Sequence, residues 1–413
     1  MPINKEVARK DIPFLLPDLP KSQEILPYLE EIDRNRWYSN FGPLQQSFEQ
    51  ELHQVFFKTL NPTEERVVAC SSGTTAIELA LLSLNLRPNA RVLLPSFTFA
   101  ATATAVLRAG CCPVFTDVDP QNWLLTPDIA KSVLDYLTVD AVIPVAALGV
   151  PQNAKQWDEF TLKTGIPVVI DAAAALGEQK LGRHTTTCFS MHATKGFGIG
   201  EGGLVVTRNA DNAHHIRRLS NFGFEDGEVV TAGSNYKLSE YHAAVGLAQI
   251  RRLDTLRIRR ERVRAAYEQQ IERLTPFFQM QAPNVDRWDG EPGVVSLKHH
   301  RFSAAVALKA RDISSPHDLD KVIRTLNEDG IGVRRWYTPV LHHHKAFKDY
   351  STINTVGKHD LDVTEALNQG LIGLPFHNFL SDAEVQFVCD SAIKSVTKNK
   401  RLSRKSRATK ERV

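Results

Sequence analysis

From Arg66 onward, short apolar runs alternate with stretches whose apolar positions recur every three or four residues. Val67 to Cys70, Val92 to Leu94, Pro113 to Thr116, Ala141 to Val145, Pro167 to Ile170 and Leu204 to Val206 have the length and composition of buried strands. Helical patterns such as Thr75 to Leu84 lie between them. Strand and helix units in this order predict an α/β fold with a mainly parallel sheet. No sequence repeat at a fixed period interrupts the alternation.

Leu238 to Leu274 reads as one long helix, with Val245, Ala248, Leu253, Leu256 and Val263 spaced among many arginines. It would lead out of the larger unit. After the Pro-, Gly- and Asp-containing stretch Ala282 to Gly293, strand and helix patterns resume as a smaller α+β unit. A last helix begins at Ser381, where Ser-Asp-Ala-Glu has the spacing of a capping box, and Val385, Val388, Cys389, Ala392 and Ile393 form its apolar face. The expected organisation is therefore a large domain over residues 1–250, a small one over 251–395, and a basic, disordered tail over 396–413.

Composition is ordinary for a globular protein of 413 residues, with 42% apolar and 23% charged positions. The formal charge is 50 minus 47, or +3, yet nine Lys or Arg and only Glu411 follow from Lys394 onward. Without that segment the balance is 41 minus 46, or −5, so the basicity belongs to the tail and no nucleic-acid surface is expected on the body. No run approaches the roughly 18 apolar residues of a membrane helix; Phe99 to Leu107 is interrupted by Thr and closes at Arg108. Met1 to Lys10 lacks the apolar centre of a signal peptide, which points to a cytoplasmic protein with no membrane contact. Five cysteines without CxxC spacing argue against a disulfide framework or a zinc site.

Three segments carry candidate chemistry. Ser71-Ser72-Gly73-Thr74-Thr75 follows a strand and opens a helix, where free amides and hydroxyls suit a phosphate, or the hydroxyls simply cap the helix. Asp171 ends an apolar run ahead of four alanines, at the edge where open α/β sheets bind ligands, or it caps the next turn. Lys195 lies between the apolar segment from Cys188 and the glycine-rich stretch Gly196 to Gly203, where desolvation would make its amine nucleophilic, although loop lysines are commonly exposed. Those glycines precede a strand, the reverse of the order in a dinucleotide fold, which argues against a nicotinamide cofactor.

Taken together and in order, these segments resemble fold-type-I pyridoxal-phosphate enzymes, and specifically the DegT/StrS family of nucleotide-sugar aminotransferases. The resemblance covers nearly the whole chain before the tail. It runs through Arg36 to Pro43, Ser72 to Ala76, Pro95 to Thr102, Phe115 to Pro120, Gly233 to Glu240, Gly246 to Gln249, Arg335 to His342 and Leu374 to Ser381. It implies that Lys195 forms the Schiff base to pyridoxal 5'-phosphate, that Asp171 faces the pyridine nitrogen, and that Phe99 stacks on the ring. Ser72, Gly73, Thr74 and Ser190 would hold the phosphate, joined by Asn235 from the neighbouring subunit of a homodimer. The implied reaction moves an amino group from an amino-acid donor, glutamate, to a keto-sugar, most often nucleotide-linked.

The chain departs from the family pattern near the ring. Ala174 stands where Gln or His is usual, Ala146-Ala147-Leu148 replaces His-Leu-Tyr, and Lys237 replaces Arg, so the substrate or its pose is expected to be atypical. His192 reads either as an acid or base near the lysine or as a packing residue, and His342-His343-His344 reads as loop without metal spacing. Two other activities fit parts of the pattern. A sugar dehydratase would carry His at the lysine position, and a cofactor-bound sensor would act through the basic tail.

Overall fold

The computed structural model describes residues 11–410 except 59, 61–65, 283–305, 312 and 314–315. Seven strands build the main sheet: β1 (Val67–Cys70), β2 (Arg91–Pro95), β3 (Cys112–Thr116), β4 (Ala141–Val142), β5 (Val169–Asp171), β6 (Thr186–Ser190) and β7 (Gly203–Val206). Two hydrogen-bonded groups, β1-β7-β6-β5 and β4-β2-β3, are joined by parallel bridges at Val142 to Val168 and Val145 to Asp171. Only β7 runs against its neighbours β1 and β6.

Both faces of this sheet are covered, which is why its strands read as continuous apolar runs instead of alternating ones. Side chains still divide by the two-residue period of a strand. Val67, Ala69, Leu93, Val168, Ile170, Phe189 and Leu204 enter one core, and Val68, Cys70, Val92, Leu94, Val169, Cys188 and Val205 enter the other. The helices of this unit are α1 (Ser22–Asn35), α2 (Pro43–Phe56), α3 (Gly73–Leu82), α4 (Ala100–Arg108), α5 (Pro127–Leu134), α6 (Ala154–Thr164), α7 (Ala210–Ser220) and α8 (Glu240–Arg251). Phe48, Leu52, Ala243 and Leu247 of α2 and α8 fill the first core, while Ala76, Ile77, Ala80 and Ala103 of α3 and α4 fill the second. Because the strands other than β7 share one direction, Cys70, Pro95, Asp171 and Ser190 end at one edge of the sheet. That edge carries the chemistry.

A small hairpin, β8 (Phe224–Glu225) with β9 (Glu228–Val229), follows α7, and α9 (Leu253–Glu268) and α10 (Ile271–Leu274) lead out of the unit. Beyond them, β10 (Phe278–Met280), β11 (Val306–Ala310) and a later strand form an antiparallel sheet, with α11 (Pro316–Glu328) between. β12 (Thr352–Ile353) returns to the edge of β3, and α12 (Asp362–Gly370) leads into β13 (Leu371–Leu374), which completes the small sheet, and α13 (Asp382–Lys410). Leu308, Ile372, Leu319, Val322, Val385 and Val388 form a separate core there. Ile12, from the segment expected in the larger unit, packs in this core and pairs with Ile331. Asp18 then ties that segment to both parts: its carboxylate meets Arg252 at 2.6 Å, Arg259 at 3.2 Å and Asn378 at 3.1 Å.

Three local expectations differ from the structure. The long helix over Leu238 to Leu274 breaks after Arg251, where Arg252 turns the chain with ψ near −1° and is held by Asp18 and Gln249, and again between Glu268 and Ile271. The strand from Ala141 keeps its ladder with β2 only to Val142, since Pro144 has no amide to donate, and pairs further on only through the isolated bridge from Val145 to Asp171. The tail expected to be disordered from residue 396 continues α13 to Lys410. Ser395 and Val396 are buried, so the apolar face extends past Lys394, and a helix already nucleated adds further residues at little cost when no Gly or Pro intervenes. The capping box at Ser381 forms as expected, with Glu384 N donating to Ser381 Oγ and Ser381 N donating to Glu384 Oε2. Most of the stretch Ala282 to Gly293 lies outside the described residues.

Candidate active site

Each motif residue reaches the sheet edge through the element that ends there. Cys70 closes β1, and Ser72 caps α3: Thr75 N donates to Ser72 Oγ while Ser72 N donates to Thr75 Oγ1. The capping role is thus real, and Gly73 and Thr74, the first residues of the helix at its positive end, line the cavity. Gly73 is required by close approach, since a Cβ there would lie 2.6 Å from Ser190 Cβ. A Cβ at Gly203 would lie 2.1 Å from Ser72 O, so β7 can begin only where no side chain intervenes.

Asp171 closes β5 and is 4% exposed. Thr102 Oγ1 donates to its Oδ2 at 2.7 Å and Ala173 N donates to its Oδ1 at 3.1 Å. Burial pushes the carboxyl above its ordinary range, against the pull of those two donors and of Lys195. Lys195 lies beyond Ser190 on a turn closed by its amide to His192 O at 2.9 Å. Burial draws its amine below the ordinary lysine value, Asp171 opposes that shift, and the charge of Arg334 adds to it. Among the described residues no hydrogen bond or ion pair engages its ammonium. The result is an amine lowered by burial with a carboxylate acting on it, an environment in which a lysine can serve as a nucleophile.

These groups line one cavity of about 420 Å³. Ser72, Gly73, Thr74, Asp171, Ser190, Lys195 and Phe99 all border it. Phe99, at the start of α4, is 58% exposed at the border of this cavity. Asn235 is the exception. It is exposed on the segment before α8, pairs with Asn221, and does not border this cavity.

Ala174, Ala146 and Leu148, the departures from the family pattern, do border it, and Leu148 adopts a left-handed backbone at φ 58°. Lys237 instead donates to Asn221 Oδ1 at 2.9 Å and lies over the Phe222 ring. His192 also borders the cavity, with Nδ1 2.9 Å from Thr194 Oγ1 and Nε2 3.7 Å from Glu201 Oε1. His342 and His343 meet Glu365, with Nε2 to Oε1 distances of 2.9 and 2.8 Å, while Ser96 Oγ lies 2.6 Å from His342 Nδ1. That cluster was not legible because Glu365 arrives from α12.

Arg334, Trp336 and Tyr337 also line the cavity, brought there by the second unit; Trp336 and Tyr337 fall within the family-like segment Arg335 to His342, whereas Arg334 lies just before it. Tyr337 is pushed up to about 12 by burial, and a Leu148 backbone hydrogen bond and Arg334 act against that rise.

The DegT/DnrJ/EryC1/StrS aminotransferase family model matches residues 20–393. The chain belongs to that family. Protein MT3510 of Mycobacterium tuberculosis (strain CDC 1551 / Oshkosh) is 30% identical over 388 residues, covering 91% of this chain and 87% of its own. Among solved structures, DesI crystallised with its TDP-sugar product is similar with a TM-score of 0.79 at 28% identity, covering 97% of each chain. NtdA from Bacillus subtilis with bound PMP gives a TM-score of 0.79 at 25% identity, over 95% of this chain and 86% of that one.

This aminotransferase has the fold-type-I architecture and uses pyridoxal phosphate, as its family and the PMP-bound neighbour establish. The residues present fit that cofactor. A helix start packed through Gly73 against Ser190, a buried carboxylate, a desolvated amine and an uncovered phenyl ring border one cavity of about 420 Å³. The protein's solved neighbours include DesI, whose product is a TDP-sugar. No described helix is long and apolar enough to cross a membrane.

Proposed function

We propose that this aminotransferase moves an amino group from glutamate to a keto-sugar carried on a nucleotide. The observation that carries the reading is the meeting of the Lys195 amine and the buried Asp171 carboxylate in one cavity beside the α3 amides. The TDP-sugar in the DesI structure supports the nucleotide link.

Pyridoxal phosphate, when bound, supplies an aldehyde and an electron-withdrawing ring that stabilises charge on the reacting carbon. Lys195 would hold the aldehyde, and its Nζ, once displaced by the donor's amine, would carry the proton taken from the donor's α-carbon. Asp171 would hold the ring nitrogen's proton, with Thr102 and Ala173 fixing the carboxylate in place. Gly73 and Thr74 amides, with the Ser72 and Ser190 hydroxyls, would take the phosphate. Phe99 would cover one face of the ring and exclude water from it.

Asn235 would complete the phosphate site of a second copy, which is consistent with its exposure outside the Lys195 cavity. The neighbouring Phe222, Phe224, Val229 and Val230 are exposed and apolar, the surface such a homodimer would cover. The test is borohydride reduction of the purified protein followed by peptide mapping and, on a separate unreduced sample, glutamate addition with the absorbance recorded. Label at Lys195 and a glutamate-dependent spectral change are expected. Label elsewhere, or no change with glutamate, would overturn the reading.

A further inference from the structure

A second cluster of chemically active side chains lies outside the Lys195 cavity. His342, His343 and Glu365 bring three donor atoms within 4.8 Å of one another, and none of the three borders that cavity. Both imidazoles aim Nε2 at the same oxygen, Glu365 Oε1, at 2.9 and 2.8 Å. Consecutive side chains on a strand would point to opposite faces. Here Leu341–His343 is a tight 3-10 turn, closed by His343 N donating to Val340 O, and the two rings stand 4.3 Å apart on one side of it.

The supports of the cluster come from three separate parts of the chain. Ser96, just after β2, holds the turn: Leu341 N donates to its carbonyl oxygen and His342 N to its Oγ, both at 3.2 Å. Asp117, just after β3, pins the start of α12 by accepting from Val363 N, Thr364 N and Thr364 Oγ1, and so places Glu365 in the first turn of that helix. The donors are also backed on their far sides. His342 Nδ1 lies 2.6 Å from Ser96 Oγ, and Glu365 Oε2 accepts from Asn368 Nδ2 at 3.5 Å. Outer partners of this kind fix the ring orientation of a ligating histidine and leave its other nitrogen for an ion.

Hydrogen bonds alone hold the three groups together only if both Nε2 atoms carry protons and share one acceptor oxygen. A divalent ion removes that condition, because two bare nitrogens and a carboxylate oxygen would then face one positive charge. Two imidazoles and a carboxylate form a donor set that zinc takes, at about 2.0–2.2 Å each with water in the fourth place. Tetrahedral donors at those lengths stand roughly 3.3 Å apart, so the rings and Oε1 need to part by only about half an ångström. The His343 side chain is 44% exposed, which gives the ion a way in and the water a place. His344 takes no part, since its Nε2 meets Pro339 O at 2.9 Å.

We propose that His342, His343 and Glu365 bind a zinc ion that fastens α12 to the turn after Val340. The inference stands apart from the aminotransferase reading and needs no substrate. Three protein donors and an open place make the site exchangeable, filled according to the free zinc concentration, and its effect is on stability.

The test uses the full-length holoenzyme stripped with EDTA and titrated with zinc against a chromophoric chelator, for the wild type, His343→Ala and Glu365→Gln. One zinc per chain is expected at this site. Losing an outer partner of a zinc ligand costs about 10- to 100-fold in affinity, so losing a ligand should cost at least about 100-fold. Zinc should raise the unfolding temperature of the wild type and leave that of His343→Ala unmoved. X-ray absorption of the zinc-loaded protein should show nitrogen and oxygen neighbours only. The proposal is overturned if the wild type takes up no zinc, which would leave a hydrogen-bonded cluster, or if His343→Ala binds as tightly as the wild type. Sulfur among the neighbours would equally overturn it by assigning the ion to a cysteine. Because His343 is half-exposed, its replacement tests the site even if Glu365→Gln fails to fold.

Discussion

Replacing Thr102 with valine removes one donor and keeps a β-branched side chain of similar shape. The donor lost is the one 2.7 Å from Asp171 Oδ2, in a site where the carboxylate is 4% exposed. Thr98 Oγ1, 3.2 Å from Thr102 Oγ1, loses its neighbour as well. A hydrogen bond to an ionised group contributes about 1.5–3 kcal/mol, and one between neutral groups about 1 kcal/mol. The cost should therefore depend on the state of Asp171.

The sign follows from the two opposing influences. Burial raises Asp171 above the ordinary carboxylate value, so the folded chain holds that proton more tightly than the unfolded one, and stability falls as pH rises from the unfolded value through the folded one. The Thr102 bond acts on the ionised form and opposes that trend. Its contribution is complete above the folded value and shrinks as pH falls through it. Thr102→Val should thus cost about 1.5–3 kcal/mol at pH 8 and markedly less once Asp171 is protonated. Urea unfolding of both proteins, stepped down from pH 8, reads this directly, and the same pair in an Asp171→Asn background should differ by about 1 kcal/mol. A loss that is constant across pH and undiminished in that background would show that Thr102 acts through packing and not through the carboxylate.

Gly73→Ala should cost about 1–3 kcal/mol by overpacking against Ser190 and weaken cofactor binding accordingly; unchanged pyridoxal phosphate affinity by absorbance titration would remove the α3 loop from the phosphate site. Because burial lowers the Lys195 amine, association of the cofactor with the apoprotein should accelerate with rising pH and reach half-maximum below the ordinary value of 10.5. A midpoint at or above that value contradicts the desolvated amine. Ser381→Ala removes the N-cap of α13 and should destabilise by about 1 kcal/mol in thermal or urea unfolding; no loss would mean that the capping bonds add nothing to stability.

Much of the site could be read before any coordinates because its parts sit where a strand stops. Asp171 and Ser190 are the last residues of β5 and β6, and Ser72 and Phe99 cap the helices that follow β1 and β2. Each is flagged by a change of pattern in the chain itself, from apolar run to polar or glycine-rich turn. Thr102 was within a quoted segment, but nothing in the sequence distinguishes a threonine that bonds a distant carboxylate from one that merely sits in a helix. Arg334 and Trp336 reach the cavity only because the small sheet docks there, and pairing across such distances leaves no local trace. The same holds for the break at Arg252, whose partner Asp18 is 234 residues away, and for the burial of Val396, which extends the last helix through a stretch whose composition alone suggested disorder.

The grip of Asp18 has a mechanical consequence. One carboxylate fastens the α8 to α9 corner and the segment after β13 at the same point, so the wall bearing Arg334 and the floor bearing Lys195 are braced across their junction. Loss of that one carboxylate would release both attachments together, so its removal should loosen the junction more than the loss of either partner alone.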